Sequence, residues 1–272
     1  MNWRAVQAIV RKDLKVVFQN KGVLIPIIVV PVVILMALPG LAALAPMLQD
    51  MPGTPFAGMD SFIQDMPAGL REALAGYDEV QTTVVLALVY FLAPMYLILP
   101  LMVASVIAAD SFAGEKERKT LEALLYTPTT DWELFLAKLL SAWLPALGVA
   151  WGGFLLYAVM SNLAAWPVMG RLFFPTTMWL VLALWVAPAV AGLGLGTTVL
   201  ISSRAQTFQE AYQLGGVVVL PIILLVVAQA TGVMYFSTWL VALLGLVFWA
   251  IDALLLWVGR RTFRRSKLAT QM

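Results

Sequence analysis

A chain of 272 residues that is 62% hydrophobic and only 12% charged is not built to dissolve in water, because soluble domains carry about 25% charged residues. Its mean hydropathy of +0.91 calls for lipid as the surrounding medium. With no cysteine and no histidine, it excludes disulfides, the common zinc and haem sites, thiol nucleophiles and imidazole bases, and a net charge of +2 singles out no partner.

Residues 1–21 read as an amphipathic helix lying in the cytoplasmic membrane interface. Trp3, Val6, Val10, Leu14, Val17 and Phe18 fall near one helical face, and Arg4, Arg11, Lys12 and Lys15 fall largely elsewhere. The same stretch also serves as a basic flank for the first span. Five intervals then contain no charged residue: 22–49, 80–109, 139–170, 172–203 and 211–251. A span needs roughly 20 apolar residues, so each of the first four holds one helix. The fifth would be about 60 Å long as a single helix, twice the hydrocarbon thickness. It is expected to break at Gln229-Ala-Thr-Gly232 and restart near Ser237-Thr238.

The resulting expectation is an all-α, polytopic membrane protein with about six transmembrane helices. The spans are about 22–44, 82–108, 139–163, 176–201, 213–230 and 238–258, in a transmembrane domain over 22–258. Ala43-Leu44-Ala45 resembles a signal-cleavage site, but the apolar run exceeds the usual roughly 7–15 residues, and the first span is read as retained. The external loop 45–80, rich in Pro, Gly and Asp, is expected to form a lip. It holds a short helix within 60–75, interrupted by Pro67, and no independent core.

Six spans put both termini on one side. Fifteen basic residues lie there, at the N-terminus, in 110–138, at Arg204 and in the tail 259–272, against Arg71 and Arg171 on the other. By the positive-inside rule both termini are cytoplasmic, and the expected location is a bacterial or archaeal inner membrane.

The cytoplasmic segment 110–138 is the most distinctive. A charge-dense run from Glu115 to Lys119 leads into a helix with Leu121, Leu124 and Leu125 on one face, which Pro128 stops. Thr130 and Glu133 have the spacing of a capping box that starts the next helix. Periodicity alone favours an ordinary solvated loop helix here. The string Ala113-Gly-Glu-Lys-Glu-Arg-Lys-Thr-Leu-Glu-Ala-Leu-Leu-x-x-Pro128, however, resembles the signature of type-two ATP-binding-cassette (ABC) exporter permeases. In that family a Glu-Lys/Arg-Glu group is often followed by Gly-Thr-Leu-Glu, two leucines and a proline. Lys119 stands where glycine is common, and Ala137 likewise precedes Lys138 where glycine is common.

The resemblance implies that this segment is a coupling helix seated in a cleft of a cytoplasmic ATPase subunit. Glu115, Glu117, Arg118, Thr120, Leu121, Glu122, Leu124 and Leu125 are then the candidate contacts. It implies two ATPase subunits per complex, a second permease copy or a related subunit, and outward movement of drug-like, lipid or ionic cargo by alternating access. The chain contains no G-x-x-x-x-G-K-[ST] loop, so it is not itself expected to be an enzyme. ATP and Mg2+ are expected in the partner ATPase, and neither a cofactor nor a nucleic acid is expected on this chain.

Within the membrane, Asp252 is the one charged residue placed inside a span, where an acid costs roughly 2.5–3.5 kcal/mol on insertion scales. It reads first as an acid that pairs with a neighbour or snorkels to the head groups, and otherwise as an ion- or substrate-coupling group. Tyr90, Met95, Tyr96, Met102 and Gln229 are candidates for a transport path, alongside Thr82, Thr83, Ser105, Thr231 and Met234, each of which reads first as packing or lipid contact. Gly148-x-x-x-Gly152 and Gly192-x-x-x-Gly196 permit close helix approach within the subunit. The competing function is a partner-free ion channel or secondary transporter, which requires an intramembrane ion site or inverted repeats.

Overall fold

A computed structural model describes residues 2–48, 63, 66–120 and 130–262. Eight helices organise it: α1 (Trp3–Gln19), α2 (Lys21–Ala43), the short α3 (Ala68–Leu74), α4 (Glu79–Glu117), α5 (Asp131–Met169), α6 (Thr177–Ser202), α7 (Phe208–Ala230) and α8 (Thr238–Thr262). No strand occurs among the described residues. The five helices α4 to α8 are long and apolar enough to cross a membrane, and the 23-residue α2 carries a sixth apolar run, Ile27–Ala43. The expected break in the last charge-free interval falls at Gly232, which adopts a positive φ of 72° between α7 and α8.

Helices α4 and α6 form the centre. Their most apolar stretches are mostly buried, while those of α7 and α8 are mostly exposed. The main contacts run between α4 and α6, α5 and α2, α5 and α4, and α6 and α8, with α1 laid across the start of α5. Close approach of α6 to α4 is set by Gly194, where an added Cβ would lie 2.7 Å from the Leu101 carbonyl oxygen and 2.8 Å from Ser105 Oγ. Gly192 and Gly196 pack against Asp252 and Leu255 of α8, as their spacing leads one to expect. An added Cβ at Gly148 or Gly152 would meet nothing within 4 Å among the described residues, and both glycines are exposed, so this motif faces outward.

Three π-helical segments interrupt the long helices, at Leu86–Phe91, Asp110–Gly114 and Leu182–Val186. A π-turn shifts the backbone register and leaves carbonyls without their α-helical partners, which is costly away from water. Each segment is met by a side-chain donor. Tyr157 Oη donates to Leu88 O at 2.6 Å and Trp179 Nε1 to Val89 O at 2.7 Å. Trp151 Nε1 donates to Ala183 O at 3.0 Å, and Lys138 Nζ to Ser111 O at 2.7 Å. The aromatic and lysine side chains thus fix the irregular backbone in place.

The buried face of α1 is Val6, Ile9, Asp13 and Val17. Trp3 and Phe18, expected on the apolar face, are exposed. The 6-9-13-17 spacing selects a stripe rotated slightly away from them, and that stripe includes an acid. Between α2 and α4, α3 begins directly after Pro67 and buries Leu70 and Leu74, consistent with a helix boundary at that proline; most of 60–65 lies outside the described residues.

Candidate functional site

The ends of the helices segregate by charge. Helix α1, the end of α4, the start of α5 and the α6–α7 turn meet at one end of the bundle. Gly259 of α8 lies beside Phe135 at the same end. This end collects Lys12, Lys116, Arg118, Lys138 and Arg204 and is called the basic end below. At 39 residues, α4 and α5 are each about 58 Å long. They therefore outreach a hydrocarbon core of about 30 Å and carry their charged ends beyond it.

Glu115 is the centre of the basic end. It is buried, and its two carboxylate oxygens are taken by two lysines: Lys12 Nζ of α1 at 2.6 Å and Lys138 Nζ of α5 at 2.5 Å. Lys138 is fully buried, 5.3 Å from the centroid of the Phe112 ring. Asp13 adds a second carboxylate. One oxygen lies 3.0 Å from Lys12 Nζ, and the other accepts from Ser111 Oγ at 3.3 Å and lies 3.2 Å from Ser141 Oγ. Half-burial alone would lower the Lys12 pKa; the hydrogen bond and charge of Glu115, joined by those of Asp13, hold it above the ordinary value of 10.5. Two acids and two lysines, each with at least two polar partners, form the kind of largely buried network that is tolerated only as a unit.

The neighbours of Glu115 bind elsewhere. Lys116 Nζ donates to Ala205 O at 3.2 Å, and Glu117 accepts the Phe208 N–H at 2.9 Å, which caps the first turn of α7. Arg118 returns to Asp110 at 2.9 Å across the π-segment, over Gly114, where an added Cβ would lie 3.0 Å from Asp110 Oδ1. Thr130 and Glu133 form the predicted capping box, and the second Glu133 oxygen accepts the Asn2 N–H at 2.6 Å. The end of α4 is therefore tied to α1, α5 and α7 at once.

Helix α4 stops at Lys119, whose φ of 56° is left-handed. Thr120 N–H bonds Glu115 O at 3.0 Å and Lys119 N–H bonds Lys116 O at 3.1 Å, the paired bonds of a Schellman motif in which glycine is the favoured residue at Lys119's position. A non-glycine residue there costs about 1–2 kcal/mol. Lys119→Gly is expected to strengthen this cap by about 1 kcal/mol, seen as slower amide hydrogen exchange at Thr120 by mass spectrometry; faster exchange would contradict it.

Of the residues singled out from sequence, Glu115 is internal, whereas Glu117, Arg118 and Thr120 are exposed. Leu121, Glu122, Leu124 and Leu125 lie outside the described residues. Sequence reasoning passed over Lys12, Asp13, Lys138 and Ser141 as a site. The available signals were an acid on the apolar stripe of α1 and a lone lysine set among Leu134, Phe135, Leu136, Leu139 and Leu140.

The membrane candidates do not converge. Tyr90, Met95 and Met102 are half-buried along α4, and Tyr96 is buried with its hydroxyl on Ala150 O at 2.8 Å, a packing role. Thr83 and Thr231 hydrogen-bond their own helices. Gln229 is buried, with an unpartnered Oε1 among the described residues. Asp252 sits apart, beside Gly192 on α6, while α4 meets Gly194 on the other side of that helix. It is buried with neither carboxylate oxygen hydrogen-bonded among the described residues, so the expected pairing with a neighbour is not found there.

An all-helical bundle with five membrane-length apolar helices among the described residues and charged helix ends tied together at one pole defines an integral membrane protein. The family model described as ABC-2 family transporter protein matches residues 7–269, and the chain belongs to that family of ABC transporter membrane subunits. No curated protein and no solved structure matches it.

Proposed function

We propose that this chain is the permease of an ATP-driven exporter, with the basic end facing the cytoplasm and residues 117–128 docking on a separate ATPase. Two ATPase subunits, holding ATP and Mg2+, would act on a pair of permease subunits and drive cargo outward by alternating access. The observation that carries this reading is the double lysine clamp on Glu115. A push on the segment after α4 would not bend a free loop. It would move α4, α1 and α5 together through that clamp, and α7 through Glu117. Glu115 thereby becomes a positioning residue, and the docking contacts fall to the exposed Glu117, Arg118 and Thr120 with Leu121, Glu122, Leu124 and Leu125.

Leu121→Asp/Leu124→Asp is expected to abolish co-purification of the cognate ATPase while leaving the permease inserted and monodisperse. Two charges at apolar anchor positions impose a desolvation penalty on a docked helix. Retention of the ATPase at the wild-type level would remove this segment from the docking surface.

A further inference from the structure

Between α5, α6 and α8, toward the basic end, lies a cavity of about 200 Å3. Its walls are leucines, Gly192, Gly196, Trp143 and Trp249, and among the described residues its only ionisable lining residue is Asp252. The rim residues Leu136, Leu140 and Trp249 are half-buried and Leu256 is exposed, so the cavity opens on the outer surface of the bundle. Asp252 is 5% exposed, and neither carboxylate oxygen has a hydrogen-bond partner among the described residues. Arg260, the next basic residue along α8, is about 12 Å further on. In its ionised form a carboxylate so placed is costly unless a cation compensates it.

We propose that this cavity binds a small lipophilic monocation entering from the membrane, with Asp252 as its counter-ion and the two indoles as its walls. Charge sets the sign of the ligand. Both indole N–H groups are already used, Trp143 on Pro188 O at 3.0 Å and Trp249 on Trp185 O at 3.2 Å. The rings therefore offer no donor to an anion, and present apolar and π surface that suits a quaternary ammonium group. A single carboxylate among leucines cannot replace the hydration shell of a divalent ion, and no group of three acids, His or Cys occurs among the described residues. Size sets the rest. At about 200 Å3 the cavity is below the roughly 300–1,000 Å3 of sites for drug-sized ligands, so it accepts an ammonium head with one ring and leaves longer substituents in lipid. This deepens the exporter reading by naming a cargo class, but binding itself does not depend on an ATPase.

The test is isothermal titration of the full chain, reconstituted in lipid nanodiscs without any ATPase, with benzyltriethylammonium and, separately, benzenesulfonate. Saturable binding of the cation and none of the anion is expected. Asp252→Asn is expected to weaken the cation at least tenfold at unchanged elution volume. Leu136→Trp, which fills the cavity and keeps the carboxylate, is expected to abolish binding and decides the matter if the Asn variant misfolds. Absent cation binding in the wild type, equal affinity in a folded Asn variant, or full binding in the filled variant would each overturn the proposal. Loss of ATPase recruitment with cation binding intact would instead count against the exporter reading alone.

Discussion

Lys138→Met is expected to destabilise the protein by about 3–5 kcal/mol, the cost of breaking a buried ion pair from one side. Methionine is unbranched and fills the space of the lysine stem, so the loss is electrostatic rather than a cavity. Glu115 would keep only Lys12, whose own side chain is 44% exposed, and the Ser111 carbonyl would lose its donor inside a π-segment. Glu115→Gln/Lys138→Met removes both charges of the pair and is expected to recover most of the stability. Thermal unfolding of the detergent-solubilised protein, arranged as a double-mutant cycle, measures the coupling. A single variant as stable as wild type, or a double variant no better than the single, would show that the clamp contributes nothing. Under the proposed mechanism the stable double variant should still hold the ATPase through 117–128 but stimulate transport poorly, because the rigid link to α5 is gone.

Much of the fold was legible from where the charges stop. Span positions follow from the cost of charge in hydrocarbon, and the need for a break in 211–251 follows from length, since one helix cannot run about 60 Å through a core of about 30 Å; the polar, glycine-containing stretch 229–232 gives its place. The capping box at Thr130 and Glu133 is local chemistry and was readable as such. The π-segments were not, because nothing in Leu-Ala-Leu-Val-Tyr-Phe at 86–91 distinguishes it from an α-helical span. What sustains the irregular turn there is Tyr157 and Trp179, 69 and 90 residues along the chain from the carbonyls they bond.

The site was half legible for the same reason. The resemblance drew attention to Glu115, Glu117 and Arg118 as one set, and helical proximity alone gives no reason to separate them. Their separation is tertiary: Glu115 turns inward because Lys12 and Lys138 converge on it from α1 and α5, whereas Glu117 reaches the N-terminus of α7. Lys119 shows the converse. Its departure from the family's glycine was visible in sequence, and the left-handed φ of 56° gives that departure a physical cost.

The second large effect is expected at the opposite end of the bundle. Trp179→Ala should cost about 3 kcal/mol or more, at the lower end of the range for large aromatic truncations. In lipid or detergent the transfer contribution shrinks because the surroundings are themselves apolar, so lost packing and the cavity dominate. Trp179 is fully buried. It stacks on Tyr157 with centroids 4.7 Å apart and meets Phe174 edge-on at 4.9 Å and Tyr96 at 5.4 Å. Trp179→Phe keeps one aromatic ring in the cluster but removes the N–H that satisfies Val89 O together with the rest of the indole's five-membered ring, and is expected to cost about 1–3 kcal/mol. Thermal unfolding of the three proteins is the measurement, and equal losses in both variants would mean that the packing of the remaining six-membered ring carries none of the effect. Glu115 at the basic end lies about 20–25 residues along α4 from Val89 and Tyr96 of this cluster, so Trp179→Phe should leave ATPase recruitment intact. Lys138→Met acts beside the docking segment and is expected to impair recruitment as well as stability. If both variants lose the ATPase in proportion to their lost stability, recruitment follows global folding and the clamp has no separate part in coupling.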